Sequence, residues 1–189
     1  MNKYTASKPR RFSDLRGCVN GIDYVGRLPR KFGTLLYDAV YSICDQKLAA
    51  KQGRKIMIIL SDGVDFGSKT NADQAIAKAI RSGVVIYSIL FSDTSFYGGK
   101  NAAGPHSPRA GSAVMKGMAV ATGGSYLEVT REHTVKQMFE HIAEDLHNQY
   151  SLGFTSDSPA TRVEVRKLEL TTDRWGLAVQ ARKWYIAEP

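Results

Sequence analysis

Two carboxylates, Asp62 and Asp65, stand three residues apart just after the apolar run Ile56-Met57-Ile58-Ile59-Leu60, on the turn Ser61-Asp62-Gly63. In open α/β sheets, ligands bind at the carboxyl ends of parallel strands, so this is where a metal-linked carboxylate belongs. Hard cations such as magnesium take oxygen ligands in a near-octahedral shell. Gly33-Thr34, at the start of a helical pattern, adds a hydroxyl that serves either as an ordinary N-cap or as a further oxygen donor. As an enzyme, the chain would use Asp62 and Asp65 as a magnesium-dependent phosphoryl-transfer pair with the Gly-rich segment Ser92–Pro108 as a lid. That reading lacks an identified phosphate-binding lysine or arginine and a general base. The four histidines, His106, His133, His141 and His147, make no ligand pattern, and His141 with Asp145 reads as a solvated pair on one helix face. No Gly-x-Ser-x-Gly, phosphate-binding loop or dinucleotide fingerprint occurs.

The elements that must position these residues follow from periodicity. Leu35, Leu36, Ala39, Val40, Ile43, Cys44 and Leu48 recur at helical spacing from Thr34 to about Lys51. Ile56–Leu60 and Val84–Phe91 are unbroken apolar runs, which predict strands buried on both faces, as in a parallel sheet. Between them, Thr70 or Asn71 caps a helix that Gly83 closes. A helix through Ala113, Val114, Met118 and Ala121 stops at Gly123-Gly124, and Met115 and Met118 read as core. A short strand, Ser125–Val129, and a helix beginning at Thr134 complete the alternation. The expected fold is a three-layer α/β/α sandwich with a mostly parallel, Rossmann-like sheet. After Tyr150 the pattern changes to period two, in Tyr150–Phe154, Val163–Leu170 and Leu177–Ala181, which predicts antiparallel strands turning near Thr172-Asp173-Arg174. A bulge is expected near Arg166-Lys167.

At 189 residues and 43% hydrophobic, the chain can bury one sizeable core. No apolar run approaches the roughly 20 residues needed to span a bilayer. Cys18 and Cys44 are too few for a disulfide scaffold or a four-cysteine zinc site, and read as free thiols. The net charge of +8 is concentrated in residues 1–33, which hold eight Lys/Arg against two Asp. Such a leader can attract polyanions, but it lacks the interleaved aromatics of a single-strand groove, so no specific nucleic-acid partner is expected. No apolar core follows Met1-Asn2-Lys3-Tyr4-Thr5, so no signal peptide is read there.

Several segments carry a family resemblance. Phe32-Gly33-Thr34-Leu35-Leu36-Tyr37-Asp38-Ala39-Val40, Gly53 to Leu60, and Ser61-Asp62-Gly63-Val64-Asp65 resemble von Willebrand factor type A (vWA) domains, of the variety found in acidobacterial-type bacterial proteins. Gly83-Val84-Val85-Ile86-Tyr87, Ala121-Thr122-Gly123-Gly124 and Gln149 to Phe154 extend the likeness. Arg182-Lys183-Trp184-Tyr185 is similar to that variety's closing motif, with Trp184 in place of a glycine. The resemblance spans about residues 14–187 and implies a protein-binding or adhesion-type module, not an enzyme. It implies that Thr34 and Asp62 match the threonine and aspartate of a metal-ion-dependent adhesion site, with Asp65 as a possible auxiliary. In an intact relative, Mg2+ or Ca2+ would be held there and a partner's acidic side chain would complete the shell.

The family's Asp-x-Ser-x-Ser motif has no counterpart here; the nearest substring, Asp93-Thr94-Ser95-Phe96-Tyr97, follows the wrong strand. The chain is therefore expected to be an N-terminally incomplete domain with only a partial site and no tightly bound metal. An intact parent would be secreted or periplasmic; the compartment of this chain is left open. The expected organisation is a basic irregular leader over residues 1–13, a partial vWA-like domain over 14–149, and a β extension over 150–189 packed on the same domain. With the family's first strand missing, Ile56–Leu60 becomes a sheet edge without proline or charge between Lys55 and Asp62, open to self-association.

Overall fold

The computed structural model describes residues 5–7, 34–91, 104 and 107–189, with side chains except those of Thr5–Ser7 and Ser151. Cys18, Gly33, His106 and the segment Asp93–Tyr97 lie outside the described residues, as does most of the expected lid. In chain order the elements are β1 (Thr5–Ser7), α1 (Leu36–Ser42), a π-helical turn (Ile43–Leu48), β2 (Lys55–Ser61), α2 (Ala72–Arg81) and β3 (Val84–Leu90). There follow α3 (Pro108–Thr122), β4 (Tyr126–Glu128), α4 (Val135–His147), β5 (Ser151–Gly153), β6 (Glu164–Lys167) and β7 (Trp184–Ala187). β2, β3 and β4 form a parallel sheet in that order, while β1–β5 and β6–β7 are separate antiparallel pairs. The chain is thus a mixed α/β structure.

The helices start where the sequence provides donors' partners. Asn71 and Gln74 close a capping box on α2, and Thr134 and Gln137 close one on α4. Ser107 caps α3 with Pro108 in its first turn, and Gly123, at φ 86°, ends it in the left-handed conformation. α3 therefore begins several residues before its first periodic apolar position; Ser107-Pro108 carried the signal, and the alanine pattern hid it.

β3 is the centre of the core because its alternate residues enter two different clusters. Val84, Ile86 and Leu90 pack with Met57 and Ile59 of β2 and with Leu36, Val40, Cys44, Ala75, Ala79, Met115 and Met118 of the helices. Tyr87 and Ile89 pack instead with Met138 and Ile142 of α4, together with Ile56, Ile58 and Leu127. Cys44 is buried as a free thiol, and burial pushes its pKa up to about 11, so it behaves as a small hydrophobe. The β4 strand is short, and the Thr122 hydroxyl serves β3 before β4 begins: it accepts from the Ile86 N–H at 2.9 Å and donates to the Met118 carbonyl at 2.8 Å.

Three expectations are corrected. The helix expected from Thr34 begins at Leu36, with Leu35 at the cap position and no cap from its own side chain; the first turn is capped from elsewhere in the chain. The leader is not wholly irregular, since Thr5–Ser7 pair antiparallel with Ser151–Gly153. In the tail, β6 pairs with Trp184–Ala187 and not with Leu177–Ala181, which forms no strand. Period-two alternation there had no burial behind it: Val163, Val165, Leu177 and Val179 are all exposed. The ladder runs one bond further, from the Leu168 N–H to the Lys183 carbonyl at 2.8 Å, and no bulge is needed. Gln180 ties this tail to the sheet side by donating to the Gly123 carbonyl and the Ser125 hydroxyl. Among the described residues no helix is long and apolar enough to cross a membrane.

Candidate functional site

The parallel register aligns Ser61 with Leu90 and Leu90 with Glu128, so the carboxyl ends of all three strands form one rim. Asp62 follows directly on that rim. Its Oδ1 accepts from the Val64 N–H at 3.0 Å, an Asx turn that bends the chain as soon as the strand ends, and it faces the Ser61 hydroxyl at 3.4 Å. Gly63, at φ 76°, follows because two constraints meet there. A Cβ on Gly63 would lie 2.3 Å from the Gly111 carbonyl oxygen, and a Cβ on Gly111 would lie 2.4 Å from the Asp62 carbonyl oxygen. The first turn of α3 is thus pressed backbone to backbone against the Asp62 turn.

Thr34 is brought to the same place through the backbone: the Phe66 N–H donates to its carbonyl at 2.9 Å. Its side chain is not the cap of α1. Asp65 fills that role from across the loop, its Oδ1 accepting from the Tyr37 N–H at 3.1 Å. Asp65 also accepts from the Ser68 hydroxyl at 2.6 Å and the Ser68 N–H at 3.0 Å, and Ser68 in turn accepts from the Asp38 N–H at 3.2 Å. The exchange is reciprocal, because Asp38 of α1 accepts from the N–H groups of Lys69 and Thr70 at 2.9 and 2.8 Å. Hydrogen bonds from the Thr70 side chain first, and then from the Lys69 backbone, hold the Asp38 carboxyl below its usual range. Two carboxylates therefore clasp segment 65–70 onto the start of α1.

Of the sequence-predicted set, Asp62 and Asp65 lie on the loop that follows β2 and Thr34 meets that loop through its backbone carbonyl, but their roles diverge. Asp65 directs both carboxylate oxygens to backbone and hydroxyl donors of the clasp. Thr34 and Asp62 then supply two side-chain oxygens toward the roughly six of a magnesium shell, which does not fit a closed site. Among the described residues no three His, Cys, Asp or Glu side chains are grouped to hold a metal ion. Magnesium at millimolar concentration should therefore leave the melting temperature nearly unchanged. A stabilisation of about 2.7 kcal/mol, expected at one hundred times a dissociation constant, together with its loss in Asp62→Ala, would place a complete metal centre there.

The rim holds a second polar group that sequence reading did not single out. The Tyr126 hydroxyl donates to Glu128 Oε1 at 2.6 Å and shares a 2.8 Å hydrogen bond with the Ser112 hydroxyl on α3. Burial, followed by the bond to Glu128, pushes the Tyr126 pKa up to about 12, so the ring stays neutral and donating. Tyr126 and Glu128 two residues apart at the end of a strand were visible as a same-face pair; Ser112 belongs to a different element and no spacing could connect it. His141 and Asp145 lie 4.0 Å apart on α4, as the helical spacing predicts, but only His141 is exposed; Asp145 is half-buried and accepts from the Ser125 hydroxyl at 2.8 Å. No family model, curated protein or solved structure matches the chain.

Proposed function

We propose that the chain is a protein-binding module of vWA-like, three-layer α/β/α design whose ligand surface is the rim at the carboxyl ends of β2, β3 and β4. The observation that carries the reading is the rigid presentation of the Asp62 turn. It is held from one side by the Asp38–Asp65 clasp and from the other by the Gly63–Gly111 backbone contact. Such investment in fixing a half-exposed polar turn serves recognition, which gains affinity from surfaces ordered before the partner arrives. Among the described residues nothing comparable fixes a nucleophile, a general base or a phosphate cradle. The acidic contact of a metal-loaded relative needs ligands beyond Thr34 and Asp62, so this chain's own surface is the hydrogen-bonding rim from Asp62 to Glu128.

Selection of peptides from a random display library against the purified chain tests the reading. Recovered binders should weaken at least tenfold on Asp62→Ala or Glu128→Ala and be indifferent to Val165→Ala on β6, which is exposed and distant in the chain. Binders that ignore both rim substitutions but fall with Val165→Ala would move the ligand surface to the β6–β7 ribbon and overturn the proposal.

A further inference from the structure

Past the end of β6 the chain makes an excursion that the Leu168 N–H and the Lys183 carbonyl close at its base. One side chain holds it to the body of the molecule: Gln180 turns inward and donates to the Gly123 carbonyl at 3.2 Å and the Ser125 hydroxyl at 3.1 Å. Leu177 and Val179 beside it stay 59% and 42% exposed. Further out the chain turns through Trp175-Gly176, with Gly176 at φ 79° and nothing within 4 Å of where its Cβ would stand. Trp175, on that tip, is fully exposed. An apolar run that covers no part of its own chain marks a contact surface. The cations of the excursion are also unspent. In the ribbon below, Arg162 and Arg166 face Glu164, and Lys167 faces Glu169. From Leu170 to Lys183, by contrast, Asp173 is the sole acid against Arg174, Arg182 and Lys183. These three cations are exposed, and their side chains have no partner among the described residues.

We propose that this excursion is a peripheral docking loop for an anionic lipid bilayer. Trp175 and Leu177 enter the boundary between headgroups and acyl chains, and Arg174, Arg182 and Lys183 meet the lipid phosphates. Two features choose the bilayer over other partners. The first is the isolation of Trp175. A protein hot spot is an anchor seated in a packed pocket, with surrounding residues that seal out water. Trp175 has no such surround on its own chain, and a bilayer needs none, because lipids close round whatever side chain enters. Its apolar ring with one polar N–H suits the interface itself. The second is the company it keeps. A single-stranded nucleic acid would stack on Trp175 and pair its phosphates with the cations, but Leu177 and Val179 would stay in water. The acyl boundary takes aromatic and aliphatic groups alike, while the negative surface of the leaflet attracts the unpaired cations. The contact is shallow and reversible. It shares no residue with the rim from Asp62 to Glu128, so it stands or falls separately from the rim's role.

The test is sedimentation of the full chain with lipid vesicles. Vesicles of phosphatidylcholine containing phosphatidylserine should carry the chain down about tenfold or more better than phosphatidylcholine alone. Trp175→Ala, at a position too exposed to endanger folding, should lower that partition by about tenfold or more. Arg182→Glu with Lys183→Glu should erase the preference for phosphatidylserine. Emission reports the insertion directly: Trp184→Phe leaves Trp175 as the one tryptophan, and its fluorescence should move to the blue with the anionic vesicles. Soluble glycerophosphoserine should leave that emission unchanged, since a headgroup alone offers no apolar boundary; an equal shift would reduce the site to a phosphate contact and overturn the bilayer. Vesicle binding that survives both sets of substitutions would belong to the basic residues 1–33 and overturn the loop. Tighter retention on single-stranded RNA, lost with the same substitutions, would give the loop to a nucleic acid. A chain that stays in the supernatant with both kinds of vesicle would end the proposal outright.

Discussion

Replacing Gly111 or Gly63 by alanine is expected to cost more stability than any other single methyl group added to the rim. At Gly111 the new Cβ would stand 2.4 Å from the Asp62 carbonyl oxygen and 2.9 Å from the Gly63 carbonyl carbon, both backbone atoms that cannot rotate away. At Gly63 it would meet the Gly111 carbonyl at 2.3 Å and the Met115 Cγ at 2.6 Å, on a backbone already at φ 76°. Relief requires α3 to move off the strand end, and α3 carries Met115 and Met118 into the core, so the shift spreads. Overpacking of this kind costs typically 1–3 kcal/mol, and the left-handed backbone at Gly63 adds about 1–2 kcal/mol more. Thermal denaturation should show losses of roughly 2–12 °C at Gly111 and roughly 4–20 °C at Gly63, at about 2–4 °C per kcal/mol for a domain of this size. Gly117, whose Cβ would meet nothing within 4 Å, is the control and should tolerate alanine without loss. Equal, small effects at all three positions would mean that α3 is not seated against the Asp62 turn.

Asp65→Ala should be the most damaging change among the charged residues of the rim. It removes the cap of α1 at Tyr37 and both bonds to Ser68, and leaves those donors to compete for water in a half-buried loop. Loss of a cap and of charge-assisted bonds together amounts to about 2–3 kcal/mol. Asp65→Asn keeps an acceptor oxygen and should recover part of it. The expectation separates the clasp from a metal role, because the loss appears in magnesium-free buffer; a change of less than about 0.5 kcal/mol there, the usual scatter of surface substitutions, would sink the clasp. Asp38 supplies the pH dependence. A carboxyl whose folded pKa lies below its unfolded value gives stability that is fully present above the unfolded value and lost as pH falls through the folded one. The clasp should therefore hold at neutral pH and loosen only below the ordinary aspartate range, with Asp38→Asn flattening that acid limb of the stability curve.

The legible parts of this fold were those in which one short window carries the whole signal. Ile56–Leu60 and Val84–Phe91 read as parallel strands because burial on both faces removes alternation, and they pair in register from Lys55–Val84 to Ser61–Leu90. The capping boxes at Asn71 and Thr134 fix two helix starts, since the chemistry lies within four residues. The site was legible only as a location. Asp62 and Asp65 stood where ligands gather, yet the role of Asp65 depends on a donor 28 residues away at Tyr37, which no local pattern encodes. The tail misled for the opposite reason: Leu177–Ala181 alternates as a strand should, but a strand is selected by a partner and a buried face, and there it has neither.

The joint between β1 and β5 bears on the order in which the molecule assembles. Thr5–Ser7 meet Ser151–Gly153, so three residue pairs must close a loop containing about three-quarters of the chain. β2 and β3, by contrast, close across one short helix. Closure entropy rises only as about (3/2)RT ln n, so the penalty itself is modest. What differs is the return, since three pairs repay it with far fewer contacts than a seven-residue ladder over a buried core. The parallel sheet can therefore form before the two distant segments meet, and their junction is a late, easily reopened latch whose kinetics report on the arm and not on global unfolding.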